Sequence, residues 1–351
     1  MKALVKERAE RGFVLKDMPV PKELKDDEVL IKVKYASICG TDLHIYQWNE
    51  WAQNRIKTPQ IGGHEFSGEV VETGKNVRLV EKGDFVSAET HIPCGKCRQC
   101  RTGNMHICND MSILGVDRDG VFAEYARVPE CVLWKNSDDL PQHHASVQEP
   151  LGNAVFTVNS GDGVFGKSVL ITGAGPIGIM AIQVSMAMGA GPVIVSEIKD
   201  FRIEMAKQNG ADYVINPLKE NALERIMDIT DGDGVGAVME MSGNESAFNL
   251  GMDSVMPGGH ISILGVFDKT VELNINEGIF KNVSMYGITG RKMFKTWYEL
   301  SSLINHKRID LDKVITDVLP FDKWEEGFKK MEEGTCGKVV LELPTEEKET
   351  V

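Results

Sequence analysis

From residue 168 onwards, short apolar segments alternate with helical stretches, and this rhythm constrains the fold more than any other feature of the chain. Ser168-Val-Leu-Ile-Thr has the continuous aliphatic character of a strand buried on both faces. It opens into Gly173-Ala-Gly175-Pro-Ile177-Gly178, and a helical stretch follows to about Gly189. Segments 193–197, 213–216, 237–241, 260–264 and 283–287 continue the beat, with helical stretches such as 202–209 between most of them. Strands alternating with helices make a doubly wound parallel sheet, because each crossover must return the chain over one face of the sheet.

The glycines in the first turn give that sheet a task. Gly173 permits the tight turn after the strand. Gly175 lets backbone approach a pyrophosphate. Gly178 lets helix and strand pack closely, and the helix N-terminus faces the phosphate charge. Glu197 ends the second strand nineteen residues beyond Gly178, where a carboxylate accepts hydrogen bonds from the adenosine ribose. An acidic residue there favours NAD over NADP, whose 2′-phosphate it repels; Lys199 and Arg202 close behind weaken that preference.

The first 150 residues have a different texture. Segments 29–35, 66–72, 84–89 and 122–128 read as short strands punctuated by Gly74 and Gly83, a pattern of barrels and sandwiches. A length of 351 residues suits two domains. After residue 295 the pattern reduces to one or two helices and a final strand, with no core of its own. The expected domains are therefore 1–152 with 295–351, and 153–294. The acidic run Glu346-Glu347-Lys348-Glu349 is read as a solvated end. The net charge of −13 argues against nucleic acid and anionic membranes as partners, and no apolar run is long enough to span a bilayer.

Cys94, Cys97, Cys100 and Cys108 fall within fifteen residues. Four thiolates so close repel one another unless a divalent ion shares their charge, and zinc does so tetrahedrally. A bacterial ferredoxin run would place the fourth Cys after three residues and follow it with Pro; here seven residues intervene and Asn109 follows. Disulfides are disfavoured because the chain starts MKALVKERAE, without an apolar leader, which points to a reducing cytoplasm. A closed four-sulfur site leaves no position for substrate, so it is structural. Cys131 and Cys336 are read as small core residues.

A second, open metal site draws on three separate segments: Cys39 in Cys-Gly-Thr-Asp-Leu-His44, His64 and Glu65 in Gly-Gly-His-Glu, and Glu149 in Gln-Glu-Pro-Leu-Gly. A thiolate, an imidazole and a carboxylate hold zinc while leaving room for a substrate oxygen. Each has an ordinary structural explanation alone. Their occurrence beside a closed zinc site and a dinucleotide fold is what points to catalysis.

Together, the Cys39–His44 segment, Gly62-Gly-His-Glu, the four-cysteine lobe and Gly-Ala-Gly-Pro-Ile-Gly resemble the zinc-dependent medium-chain alcohol dehydrogenase family over almost the whole chain. The resemblance implies a GroES-like β-barrel catalytic domain followed by a Rossmann domain. It also implies two zinc ions per chain and NAD as hydride acceptor. Cys39, His64 and Glu65 would be the catalytic zinc ligands, Glu149 a nearby carboxylate that ligates or relays protons, and Thr41 and His44 the proton relay. Cofactor contacts would include Ile177, Glu197, Arg202, Leu264, Gly265, Val266, Ile288 and Thr289. Within the family, Tyr46-Gln-Trp-Asn-Glu-Trp-Ala-Gln and Gln148-Glu-Pro-Leu-Gly-Asn resemble the branch that oxidises the β-hydroxyl of L-threonine to 2-amino-3-oxobutanoate. Polyol and 2,3-butanediol dehydrogenases are the alternative, and the loop around Trp48 and Trp51 discriminates. Glu149 or Glu50 would face the substrate ammonium. The family's habit implies a homotetramer, with segment 283–287 pairing between copies.

Overall fold

The computed structural model describes residues 1–344; the acidic run at 346–349 lies outside them. The chain divides into two compact units, Met1–Glu149 with the segment from Ile315 onward, and Pro150–Val314. The first boundary lies three residues before the expected one. The second differs more. Helix Lys295–Asn305 stays with the second unit, where Trp297 and Leu300 are fully buried and Leu300 lies beside Gly152 together with the buried Arg291 side chain. Asn159 of that unit also donates to Glu299 at 3.2 Å. Only from Ile315 does the chain rejoin the first unit.

The first unit is built around strand Glu28–Ser37. Val29, Ile31 and Val33 alternate into the core, as a half-buried strand requires. It pairs antiparallel with Glu65–Thr73 on one side; on the other it pairs with Tyr125–Pro129 and with the last strand, Lys338–Glu342. These belong to a seven-stranded sheet, beside a three-stranded sheet of Val14–Asp17, Lys2–Lys6 and Gln60–Ile61. Phe13, Phe66, Phe122 and Phe328 fill the space inside. Tyr125–Pro129 starts three residues later than expected from sequence. Cys336 joins the core as expected, whereas Cys131 is exposed in a one-turn 3-10 helix that follows that strand.

The second unit is a six-stranded sheet, parallel throughout, in the order Tyr213–Ile215, Val193–Ser196, Val169–Thr172, Val235–Glu240, Val255–Ile263, Ser284–Gly287. Chain order reverses between Val169–Thr172 and Val235–Glu240, which makes a switch point where the loops diverge and leave a crevice. All six strands end at the same edge, so the loops after Thr172, Ser196, Glu240, Ile263 and Gly287 gather there. Strand Val255–Ile263 begins five residues earlier than expected; a bulge opposite Val235 and Ala237 absorbs its glycines.

Candidate active site and metal centres

Strand Glu28–Ser37 runs straight into helix Gly40–Gln47, and Cys39 is the helix N-cap. Asp42, fully buried in the first turn, accepts the Cys39 backbone N–H at 2.9 Å and so fixes the thiol's position. His64 and Glu65 lie at the start of the paired strand. Gly63 precedes them at φ +82°, and a Cβ there would run into the Phe122 ring, so only glycine admits this approach. Pairing of Ser37 with Glu65 then brings the two segments level. The result is that one ligand atom each of Cys39, His64 and Glu65 lies within 4.8 Å of the others.

The donor set fits a divalent cation. His64 is buried, with Nδ1 3.5 Å from an Asp42 oxygen. Burial works to lower its pKa, but the charges of Asp42 and Cys39 outweigh it and hold the imidazole well above its usual value. The cluster thus demands positive charge, which a proton supplies in the absence of metal and releases when metal binds. Glu65 is fully buried. Its Oε2 accepts from Ser37 Oγ and Lys338 Nζ, while its Oε1 has no hydrogen-bond partner. Burial raises the Glu65 pKa, Lys338 opposes that, and Glu149 adds to it. An acceptor oxygen left bare in the interior is costly, and a metal ligand role removes that cost. Glu149 lies outside the three-ligand cluster. It sits in the first turn of helix Gln148–Val158, buried, and accepts from Thr90 Oγ1 at 3.0 Å.

Thr41 and His44 lie on the same helix at i and i+3, hence on one face. His44 is exposed, and its Nδ1 is 3.0 Å from Asn49 Nδ2. Asn49 Oδ1 caps the next helix by accepting from Ala52 N at 3.0 Å. That orients its NH2 toward His44, so Nδ1 accepts and a neutral His44 carries its proton on Nε2. Trp48 closes the helix in the left-handed region at φ 57°, with the Lys6 ammonium 4.7 Å from its ring, whereas Trp51 is exposed. Glu50, the other expected partner for an ammonium, is exposed in the first turn of helix Glu50–Arg55.

The four lobe cysteines also converge within 4.8 Å, and all seven cysteines are free. Cys97 Sγ is 3.5 Å from Cys100 Sγ and 3.8 Å from Cys108 Sγ. A sulfur tetrahedron with zinc–sulfur arms of ~2.3 Å has edges of about 3.8 Å. Backbone N–H groups of Cys94 and Asp110 point at Cys108 Sγ, both at 3.3 Å. The N–H groups of Cys100 and Asn109 lower the Cys97 thiol to about 6, which prepares it as a thiolate.

In the second unit, Gly173 has φ +91° and a Cβ on Gly178 would collide with the Gly173 carbonyl, while Gly175 faces open space. That bare cradle at a helix N-terminus fits a pyrophosphate. Glu197 is no solvated strand-end charge. It is 6 % exposed, its Oε2 accepts from Ala174 N at 2.8 Å, and its Oε1 accepts from Ile198 N and Lys199 N. One lone pair of Oε2 remains for a ribose hydroxyl. Gly173, Gly175, Glu197, Lys199 and Arg202 line a cavity of about 920 Å³ that continues along 241–250. Ile177 is the second residue of helix Pro176–Ala187. Leu264, Gly265 and Val266 follow one strand at the same sheet edge, and Ile288 and Thr289 follow the next.

Sequence reading missed Asp42, Asn49 and Lys338. The Cys39-x-x-Asp42 spacing carries a capping signal that would have found the first. Lys338 carries no local signal, because its partner Glu65 is distant in the chain.

Residues 25–138 match the alcohol dehydrogenase GroES-like domain family, and residues 176–306 match the zinc-binding dehydrogenase family. The chain is 53% identical over 345 residues to L-threonine 3-dehydrogenase of Pyrococcus abyssi, covering 98% of this chain and 99% of that one. Among solved structures, alcohol dehydrogenase TADH from Thermus sp. ATN1 superposes with a TM-score of 0.90 at 28% identity, over 98% of this chain and all of that one. The 2R,3R-butanediol dehydrogenase from Bacillus subtilis does so at 0.88 and 28%, over 98% and 99%. A closed sulfur site, an open three-ligand site and a dinucleotide fold define a metal-dependent, nicotinamide-linked dehydrogenase. The chain belongs to the zinc-dependent alcohol dehydrogenase family, with its GroES-like and Rossmann domains.

Proposed function

We propose that this protein is an L-threonine 3-dehydrogenase that oxidises the β-hydroxyl of threonine with NAD to 2-amino-3-oxobutanoate. The observation that carries the reading is end-to-end similarity, at about half identity, to enzymes of that name. Cys39, His64 and Glu65 would hold a catalytic zinc, and Cys94, Cys97, Cys100 and Cys108 a structural one. A catalytic zinc supplies Lewis acidity, which makes a bound hydroxyl easier to deprotonate at neutral pH. Thr41 accepts the hydroxyl proton in hydrogen-bonding range and passes it outward, and His44, exposed and held by Asn49, delivers it to solvent. Glu149 accepts from the substrate ammonium or takes part in the relay. A nicotinamide held by the loops at the C-terminal sheet edge would supply the acceptor for the hydride of the β-carbon. Glu197 supports NAD over NADP, since its fixed carboxylate repels a 2′-phosphate.

Further readings are a homotetramer and a cytosolic setting. An edge strand at Ser284–Gly287, beside exposed Ile275, Ile279 and Phe280, supports the first. Cysteines that form no disulfide with one another support the second. Threonine, sorbitol and 2,3-butanediol assayed side by side with NAD and NADP test the whole proposal. Threonine with NAD should give the highest kcat/KM by at least tenfold; faster turnover of either diol or polyol overturns the substrate assignment.

A further inference from the structure

The end of strand Val235–Glu240 carries a carboxylate to which no role has been given. Glu240 is fully buried, yet no cation stands against it among the described residues. Instead, its Oε1 gathers neutral donors from the loop that follows. It accepts from Ser242 N at 2.9 Å, Ser242 Oγ at 2.5 Å and Gly243 N at 3.0 Å, with Thr172 Oγ1 at 3.4 Å. Its backbone carbonyl accepts from Leu264 N at 2.9 Å and Gly265 N at 3.1 Å. One residue therefore ties together three of the segments that gather at the sheet edge: the end of strand Val169–Thr172, the 241–244 loop and the 264–266 loop.

The loops are in close contact around this point. Gly243 has φ +64°, and a Cβ on it would strike the Val266 carbonyl. A Cβ on Gly265 would strike Gly243 N and Glu240 Oε2. A Cβ on Gly173 would meet the Ser242 Cβ at 3.0 Å, tighter than ordinary van der Waals contact. Met241, Ser242 and Asn244 line the same cavity as Gly173, Gly175 and Glu197. Glu240 stands behind that wall rather than in it. Its Oε2 is buried without a hydrogen-bond partner, so its position is set by the Oε1 contacts and by packing against Gly265. A bare buried oxygen is destabilising, which a core residue chosen for stability alone would avoid.

We propose that Glu240 is a positioning residue for the dinucleotide: it holds the 241–244 and 264–266 loops in the shape that receives the cofactor, and thereby sets cofactor affinity without touching it. The inference rests on the nicotinamide reading of this site but not on the identity of the alcohol. Loops held in their bound conformation lose less freedom on binding, so loosening them weakens affinity.

The test is NADH titration of the zinc-loaded protein by fluorescence, with Glu240→Ala, Glu240→Gln and Ser242→Ala. Glu240→Ala should raise the NADH Kd at least tenfold. Glu240→Gln keeps an acceptor oxygen for the Ser242 and Gly243 donors and should stay within threefold of the parent. Ser242→Ala, which removes one donor only, should fall between them. At saturating NAD, kcat and the KM for threonine should stay within threefold in Glu240→Ala and Glu240→Gln. Hydrogen exchange without cofactor should quicken at the Ser242, Gly243, Leu264 and Gly265 amides of Glu240→Ala, and not at strand centres such as Ile171 and Val238. Unchanged NADH affinity in Glu240→Ala overturns the proposal. So does a Glu240→Gln defect as large as that of Ala, which would mean that the charge itself acts on the cofactor. If Glu240→Ala does not fold, Ser242→Ala decides through the same affinity and exchange measurements. Failure of the parent protein to bind NADH would instead sink the nicotinamide reading.

Discussion

A single thiol position separates the two metal clusters in kind. Cys39 sits at a helix start with His64 and Glu65 brought to it by strand pairing, whereas the other four sulfurs are neighbours in sequence. If both clusters hold zinc as proposed, replacing Cys39 with Ser should lower bound zinc from two ions per chain to one by elemental analysis, abolish threonine oxidation and leave NADH affinity unchanged. Full activity in that variant would refute the catalytic assignment. Asp42 acts on the same site from behind, through His64 Nδ1 and the Cys39 backbone. Asp42→Asn should weaken zinc affinity by about 10- to 100-fold, measured by competition with a chelator. His44→Ala should slow turnover by up to about 100-fold, and added imidazole should recover part of the rate. Without that recovery, His44 is a surface residue and the relay ends elsewhere.

At the scale of elements, the last strand is a cross-chain fastening. Lys338–Glu342 pairs with Glu28–Ser37, and its first residue buries an ammonium against Glu65 and the Ile38 carbonyl. At the other end Tyr35 donates to Glu342 at 2.8 Å. Partial burial, assisted by Glu342, pushes the Tyr35 phenol up to about 12. A folded-state value above the ordinary ~10 means the fold favours the protonated phenol. Its contribution is intact below about pH 10 and is lost as pH climbs toward 12. Ultraviolet titration should show one of the six tyrosines ionising last, and Tyr35→Phe should remove that step. If all tyrosines titrate together near 10, the strand is not held as described. The sulfur lobe behaves as an element too: it has two-residue strands and a one-turn helix, so the proposed zinc, rather than packing, would order it. Cys97→Ala should speed hydrogen exchange across 94–108 while strand Glu28–Ser37 stays protected.

For the whole molecule, two units with separate cores divide the proposed chemistry: candidate metal ligands in one, candidate dinucleotide loops in the other. Sedimentation should give about four times the 38.8 kDa chain mass if the homotetramer reading holds; edge-strand pairing alone gives twice that mass, and a monomer or dimer mass would remove the homotetramer reading.

Local pattern was sufficient wherever the cause is local. The βα alternation, the glycine turn with Glu197 and the four-cysteine lobe all operate within a few residues or one crossover, so spacing alone specifies them. The return of the chain was misjudged by twenty residues because Trp297 and Leu300 are as apolar as any helix stripe. Which core they enter depends on neighbours far away in sequence, such as Gly152 beside Leu300. The open metal site stands between these cases. Its ligand types are readable in the sequence, but their convergence comes from the ladder between Glu28–Ser37 and Glu65–Thr73, and Lys338 enters only through the final strand. Residue order determined the fold class, the cofactor turn and the sulfur site. Tertiary structure decided the domain return, the buried partners of Glu65 and His64, and the place of Glu240, because burial and charge pairing depend on what lies nearby in space and not in sequence.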